Sequence, residues 1–248
     1  MDNDTKFSKL TLTQILSINY RSAAIFEKYN LDISSLGGKT IKEACKEAGI
    51  QHERVLSDLA SLDSLKIEIP VRVDEWELDF LVDYIINNHH RYVRNIIPVI
   101  TMHLEKVVSA HGKRHAETIE ALKIFSVVYK EFKQHMMKEE EILFPYIKYL
   151  VKVKNGENKF EKPYFGRIAN PINMMELEHQ SAGENMYTIR RLFNNYTPPA
   201  DACETYRVTL RELKEFEEDH HKHIHLENNI LFPKAIILEE QLMTGQAV

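Results

Sequence analysis

Cysteine is nearly absent from this sequence. Cys45 and Cys203 are the only two in 248 residues, too few and too far apart for a disulfide framework or a thiolate cluster. Any metal chemistry must therefore rest on nitrogen and oxygen. Glycine and proline are scarce as well, eight of each, so little interrupts a helix. No apolar run approaches the ~20 residues of a membrane span, and Met1-Asp-Asn-Asp-Thr-Lys lacks the charged-then-apolar order of a secretion signal. A cytoplasmic protein with no membrane association is expected. A basic stripe is missing too: the net charge is −5 with the signs interspersed, which argues against nucleic acid as a partner. What is abundant is apolar surface, 44% of residues, ample for one large domain or two.

The first 70 residues read as a small helical domain. Leu12, Ile15, Leu16, Ile18, Ala23, Ile25 and Phe26 recur at near-helical spacing before Gly37-Gly38 breaks the pattern. Thr40-Ile-Lys-Glu43 has the form of a capping box, with Gly49 as the stop, and a further helix fits Glu53 to Leu65. Lys66-Ile-Glu-Ile-Pro70-Val-Arg-Val-Asp74 is poor in helix formers, so the boundary is placed there, giving domains 1–70 and 71–248. Beyond it four long helices are predicted. The first runs from about Trp76 past His90, with Pro98 bending or interrupting it, and the second from about His115 to Leu150. The third is opened by Asn170-Pro171 as cap and first residue, and Pro198-Pro199 closes it. The fourth is capped from Asp201-Ala-Cys-Glu204. The fold class is all-α, an up-down-up-down four-helix bundle.

One stretch occurs twice: His135-Met-Met-Lys-Glu139-Glu-Glu-Ile-Leu-Phe144-Pro145, and 88 residues later His223-Ile-His-Leu-Glu227-Asn-Asn-Ile-Leu-Phe232-Pro233. A step of four residues turns about 400° on an α-helix, so His and Glu share a face and can hold one metal ion. By the same register Glu140 and Asn229 leave that face. A single His-x3-Glu pair on a charged helix is ordinarily a solvated i,i+4 pair. The duplication weighs against that reading, because surface pairs would not need the same Ile-Leu-Phe-Pro after each. Nor would they need a lone histidine one helix earlier in each half, His90 and His179. The candidate metal ligands are thus His90, His135, Glu139, His179, His223 and Glu227.

Other histidines are set aside by geometry. His225 lies about 200° round from His223; His89, about 100° from His90, is the main ambiguity. His52 belongs to the other domain, and His103, His115, His220 and His221 have no counterpart in the repeat, so exposed or locally bonded side chains are expected. His111 follows His90 by 21 residues, about 30 Å of straight helix, and nears the ligands only if the chain turns after Pro98. Glu176 and Asp219, at i−3 and i−4 of a candidate ligand histidine, are either acceptors that hold ring nitrogens or, at least as readily, ordinary surface carboxylates. Six nitrogen and oxygen ligands exceed one tetrahedral zinc, while two bridging glutamates would leave two histidines for each of two ions. Non-haem iron suits such a set, with manganese or zinc as alternatives.

The repeated motif, together with Glu176-Leu-Glu-His179, resembles the hemerythrin-like domain of the di-iron proteins that repair iron–sulfur clusters, the RIC family. The likeness covers nearly the whole chain. It implies two carboxylate-bridged, oxo-bridged iron ions on the six residues named, both glutamates bridging, and His111 as a further histidine near the centre. It also implies a role in nitrosative and oxidative stress, by supplying iron to damaged iron–sulfur proteins or by reacting with nitric oxide; homodimerisation stays open. The alternative is a hemerythrin-like module that binds or senses O2 or nitric oxide without turnover. One departure stands out: the family's N-terminal, ScdA-like domain usually carries Phe-Cys-Cys-x-Gly, where this chain reads Ile33-Ser34-Ser35-Leu36-Gly37. A hydroxyl has no accessible thiolate state, so thiol chemistry is not expected there, and Cys45 is expected to be a packed small hydrophobe.

Overall fold

The computed structural model describes residues 7, 9–12, 14–15, 22–31, 36–63 and 73–245. The chain divides into two compact units, Met1–Val71 and Arg72–Val248. No β-strand occurs among the described residues, only an isolated bridge between Thr11 and Thr40.

The first unit contains α1 (Ser22–Lys28), α2 (Ile41–Ala48) and α3 (His52–Asp63). Thr40 caps α2 in the manner its sequence implies: its hydroxyl accepts from the Glu43 N–H, and Glu43 accepts from the Thr40 N–H at 2.9 Å. At the other end Gly49 takes φ 67°, a left-handed conformation that costs glycine least. Cys45 is buried beside Ile41 and Ala44 on the inner face of α2, a small apolar filler whose thiol is pushed up by burial. Ser34 and Ser35 lie outside the described residues.

The second unit is a bundle of four rods. The first is α4 (Leu78–Ile85) and α5 (Arg91–His111), and the second is α6 (Ala116–Lys138) and α7 (Phe144–Lys154). The third is α8 (Ala169–Leu192) alone, and the fourth is α9 (Glu204–Leu226) and α10 (Phe232–Thr244). Each rod built of two helices is continuous through a five-residue π-turn: Ile86–His90, Glu139–Leu143 and Glu227–Leu231. Around the bundle α5 packs on α6, α6 on α8, α8 on α9, and α9 back on α5. Val93, Ile97, Ile100, Leu104 and Val107 recur at steps of three and four along α5. They meet Phe125, Val128 and Phe132 of α6, Met186 and Ile189 of α8, and Leu210, Leu213 and Phe216 of α9.

Three features depart from the sequence reading. Pro98 does not break the first rod; it sits inside α5. Its ring and the Arg94 carbonyl that it leaves without a donor lie on the exposed side, where water can take that carbonyl, while Ile97 and Ile100 anchor the opposite face. The third rod begins at Ala169 rather than being capped by Asn170, with Ile168 as its N-cap. The end is satisfied from a distance instead: the buried Glu239 carboxylate of α10 accepts the Ile168 N–H at 3.0 Å and the Tyr146 hydroxyl at 2.9 Å. Likewise the fourth rod has Cys203 at its N-cap and no side-chain cap, because Asp201 is engaged with His115 and Arg114.

Phe216 is fully buried and meets Phe125 and Phe132 edge-on. Its replacement by alanine should lower the unfolding free energy by about 3–5 kcal/mol, read from the denaturant midpoint of the metal-free chain. A loss within the range of surface substitutions would mean that this seam is not the core.

Candidate metal centre

The apolar seam changes chemistry at one end. Continuing the core spacing beyond Phe132 on α6 reaches His135 and then Glu139; beyond Phe216 on α9 it reaches His220, His223 and Glu227. Reading back from Val93 on α5 reaches His90, and from Ala182 on α8 reaches His179. All six sequence candidates are buried, His90, Glu139 and Glu227 with no exposed surface. The structure brings them into two groups of donor atoms: His90, His223, Glu139 and Glu227, and His135, His179, Glu139 and Glu227. Both glutamates belong to both groups. Each group also takes one histidine from each half of the repeat, a crossing that the sequence does not display.

The atoms converge closely. Glu139 Oε2 is 3.3 Å from His90 Nε2 and 3.2 Å from His135 Nε2; Glu227 Oε1 is 2.8 Å from His223 Nε2, and its Oε2 is 3.1 Å from His179 Nε2. The Nε2 atoms of His90 and His223 face each other at 3.2 Å, and those of His135 and His179 at 3.0 Å. Yet neither oxygen of Glu139, nor Oε2 of Glu227, has a well-formed hydrogen bond. Buried carboxylate oxygens are rarely left so unless something else binds them.

The outward Nδ1 atoms explain how the rings are held. His90 Nδ1 donates to Glu140 at 2.6 Å, His135 Nδ1 to Glu178 at 3.0 Å, and His179 Nδ1 to Asn228 at 2.9 Å. A histidine whose Nδ1 is fixed by an acceptor presents Nε2 as a ligand in the correct tautomer. These three partners are not the ones expected. Asp219 binds His89 at 2.9 Å, and Glu176 points to solvent. The signal was nonetheless in the repeat, since Glu140 and Asn228 are themselves 88 residues apart, each next to a ligand glutamate. Symmetry also resolves His89. Its counterpart is Glu178, and as Glu178 faces His135, so His89 stacks on His223 with ring centroids 5.6 Å apart. His89 therefore packs against the cluster and is in neither donor group.

The π-turns account for the rest of the repeated motif. The Phe144 N–H reaches back five residues to the Glu139 carbonyl, and the Phe232 N–H to the Glu227 carbonyl. Ile-Leu-Phe-Pro is thus the sequence of a widened turn that opens on the glutamate and closes just before a proline with no N–H to offer. Leu143, Phe144, Leu231 and Phe232 are buried beneath the site, Phe144 stacked on His90 and Phe232 on His179.

His220, expected to be exposed or locally bonded, is neither: it is buried and neither ring nitrogen has a hydrogen-bond partner. His221 is buried too but is bonded locally, to the Glu217 backbone; both fall on the inward stripe of α9 after Leu213, Phe216 and Glu217. Burial holds both well below the ordinary histidine range. His220 lies against Phe132 and, with His135, His179, Ala182 and His223, lines a small cavity beside the cluster with room for about one water-sized molecule. His111 does not approach the six residues. Because α5 runs on past Pro98, His111 ends that helix about 30 Å along it from His90. His103 and His115 are locally bonded, to Glu212 and to Glu117 and Asp201.

Protons and cations compete for this cluster. Burial pulls the His90 and His135 pKa values down, but the carboxylates prevail: Glu139 and Glu140 bring His90 to about 9, and Glu139 and Glu178 bring His135 to about 10. Their partners move the other way, Glu178 to about 2 through its hydrogen bond with His135. His90 and His135 therefore stabilise the metal-free fold below their ordinary 6.5, and that contribution is lost as pH rises through about 9 and 10. His220, His221 and His223, depressed by burial, withdraw stability as pH falls below 6.5. The melting temperature of the metal-free chain should accordingly peak near pH 6.5 and decline towards pH 10. A cation in place of the protons should remove the alkaline decline. A flat alkaline limb without metal would contradict the pairing described.

The residues match the model of the Hemerythrin HHE cation binding domain over residues 81–235. Relatives extend over most of the chain. A probable iron-sulfur cluster repair protein of Haemophilus influenzae is 32% identical over 93% of this chain and 98% of its own. The iron-sulfur cluster repair protein YtfE of Cronobacter sakazakii is 33% identical over 89% and 93%, and that of Escherichia coli 32% over 87% and 91%. No helix among the described residues is long and apolar enough to cross a membrane. With its paired His-x3-Glu rods and four-helix frame, this chain belongs to the hemerythrin HHE family of cation-binding proteins, in the branch of the iron–sulfur cluster repair proteins.

Proposed function

We propose that His90, His135, Glu139, His179, His223 and Glu227 hold two non-haem iron ions and that the protein serves iron–sulfur cluster repair under nitrosative and oxidative stress in the cytoplasm. The observation that carries this reading is the sharing of two carboxylates between two pairs of imidazoles, with buried carboxylate oxygens otherwise unsatisfied. An all nitrogen-and-oxygen set suits iron better than a thiolate site would. Two imidazoles and two shared carboxylates would leave coordination positions free on each ion. When bound, iron supplies redox chemistry and affinity for small diatomic ligands. The chain's own part is to hold the Nε2 atoms of His90, His135 and His179 in place through Glu140, Glu178 and Asn228, to exclude bulk water with Phe132, Phe144 and Phe232, and to leave the small cavity beside His220. That cavity suits nitric oxide or O2 and little larger. Iron–sulfur proteins as clients come from what the relatives' names say of those proteins.

Iron-loaded protein should contain close to two ions per chain. Glu139→Ala and Glu227→Ala should each lose the paired centre's spectrum, whereas Glu140→Ala should weaken iron retention by about 10–100-fold through His90, and Glu141→Ala, on the exposed face, should change nothing. One ion per chain, or zinc retained over iron under reducing conditions, would refute the assignment.

The reduced protein should react with nitric oxide, and a deletion strain should recover iron–sulfur enzyme activity slowly after nitrosative stress. If repair requires thiols where Ser34 and Ser35 stand, this chain would keep the gas chemistry and lack the repair. Normal recovery of those enzymes in the deletion strain, with gas binding by the pure protein intact, would replace repair by reversible binding or sensing.

A further inference from the structure

At the opposite end of the bundle a second constellation lies outside the centre. His111 ends α5, His115 precedes α6, and Asp201 sits in the turn before α9; one donor atom from each lies within 4.8 Å of the other two. His111 is only 6% exposed, and its Nδ1 has no hydrogen-bond partner. His115 bridges two carboxylates, Nδ1 donating to Glu117 Oε1 at 2.9 Å and Nε2 to Asp201 Oδ1 at 2.9 Å; a cation between His115 and Asp201 would replace the Nε2 proton and leave the Glu117 bond to hold the ring. The buried Tyr206 steadies this arrangement. Its ring packs on both imidazoles, at 5.4 and 5.7 Å, and its hydroxyl donates to the same Glu117 oxygen at 3.4 Å. Arg114 holds the other Asp201 oxygen at 3.3 Å, fixing the carboxylate while leaving Oδ1 directed at the histidines.

Two carboxylates, Glu117 and Asp201, stand against the single guanidinium of Arg114 at this cluster. Two imidazoles and one carboxylate, with one histidine anchored by a second carboxylate, form a donor set for a borderline first-row ion. Calcium and magnesium prefer oxygen alone.

We propose that His111, His115 and Asp201 form a binding site for one divalent transition-metal ion, of the zinc or ferrous class, separate from the central pair. Three protein ligands leave the remaining positions to water, and the partial exposure of Asp201 gives the ion a route in.

The test uses the full-length protein with its central iron in place, titrated with Zn2+ by calorimetry and with Co2+ by visible absorption. Wild type should take up one further equivalent without losing iron. Asp201→Asn and His115→Asn should each weaken that equivalent at least tenfold, and Glu117→Gln by about 10-fold. All three variants should keep the wild-type helical signal, iron content and spectrum of the centre. X-ray absorption of the bound zinc should report two imidazoles. Absence of the extra equivalent in wild type, its appearance only as iron leaves, or its persistence at full affinity in the Asp201→Asn, His115→Asn double variant would each overturn the proposal. Because the variants leave the six central residues intact, a failure here is distinguishable from a failure of the iron assignment.

Discussion

Taking a carboxylate from water into an apolar core costs several kcal/mol unless it is matched there by charge and hydrogen bonds. This bundle does so twice at one level, at Glu139 and Glu227, neither of which has any exposed surface. The surrounding histidines answer that cost, as their upward-shifted His90 and His135 show. Each carboxylate faces two imidazoles, so removing one would leave a buried charge only half matched. The apolar seam below the site and the phenylalanines stacked on His90 and His179 exclude water, and they make the electrostatic matching both necessary and strong.

The arrangement also distributes strength unevenly. His90 and His135 rest on carboxylates, His179 rests on an amide, and His223 Nδ1 has no hydrogen bond. A duplicated sequence has thus diverged where its two halves meet: Glu140 corresponds to Asn228, and His89 to Glu178. Carboxylate partners raise the basicity of an imidazole more than an amide does, so the two halves of the repeat give similar geometry with different electronic support.

Much of this was legible in the residues and some was not, for identifiable reasons. His135 with Glu139 and His223 with Glu227 follow from helical spacing alone, because the α-helical register is intact up to each glutamate. Glu140 and Asn228 were passed over because they act between rods, on His90 and His179, and a single-helix argument sees only its own face. The burial of His220 went unread because absence from the repeat was given more weight than position on the core stripe. For His111 the helical spacing of about 30 Å from His90 holds, and the place near the centre that the family resemblance implies does not, because no turn follows Pro98. In a long rod packed on both sides the cost of one missing donor on a solvent-facing turn is small beside the apolar contacts of Ile97 and Ile100.

The three π-turns have a mechanical meaning as well. A π-turn is a dislocation in a helix: in a uniform chain it can slide, each step exchanging one i→i+5 bond for the next and rotating the residues it passes by about 100°. Pro145 and Pro233 have no N–H to exchange, so neither dislocation can move past them towards the C-terminus. On the other side lie Glu139 and Glu227, locked by the histidines around them. These two of the three defects are pinned between a proline and a carboxylate, and the two glutamates cannot rotate out of the seam without one of those pins being removed.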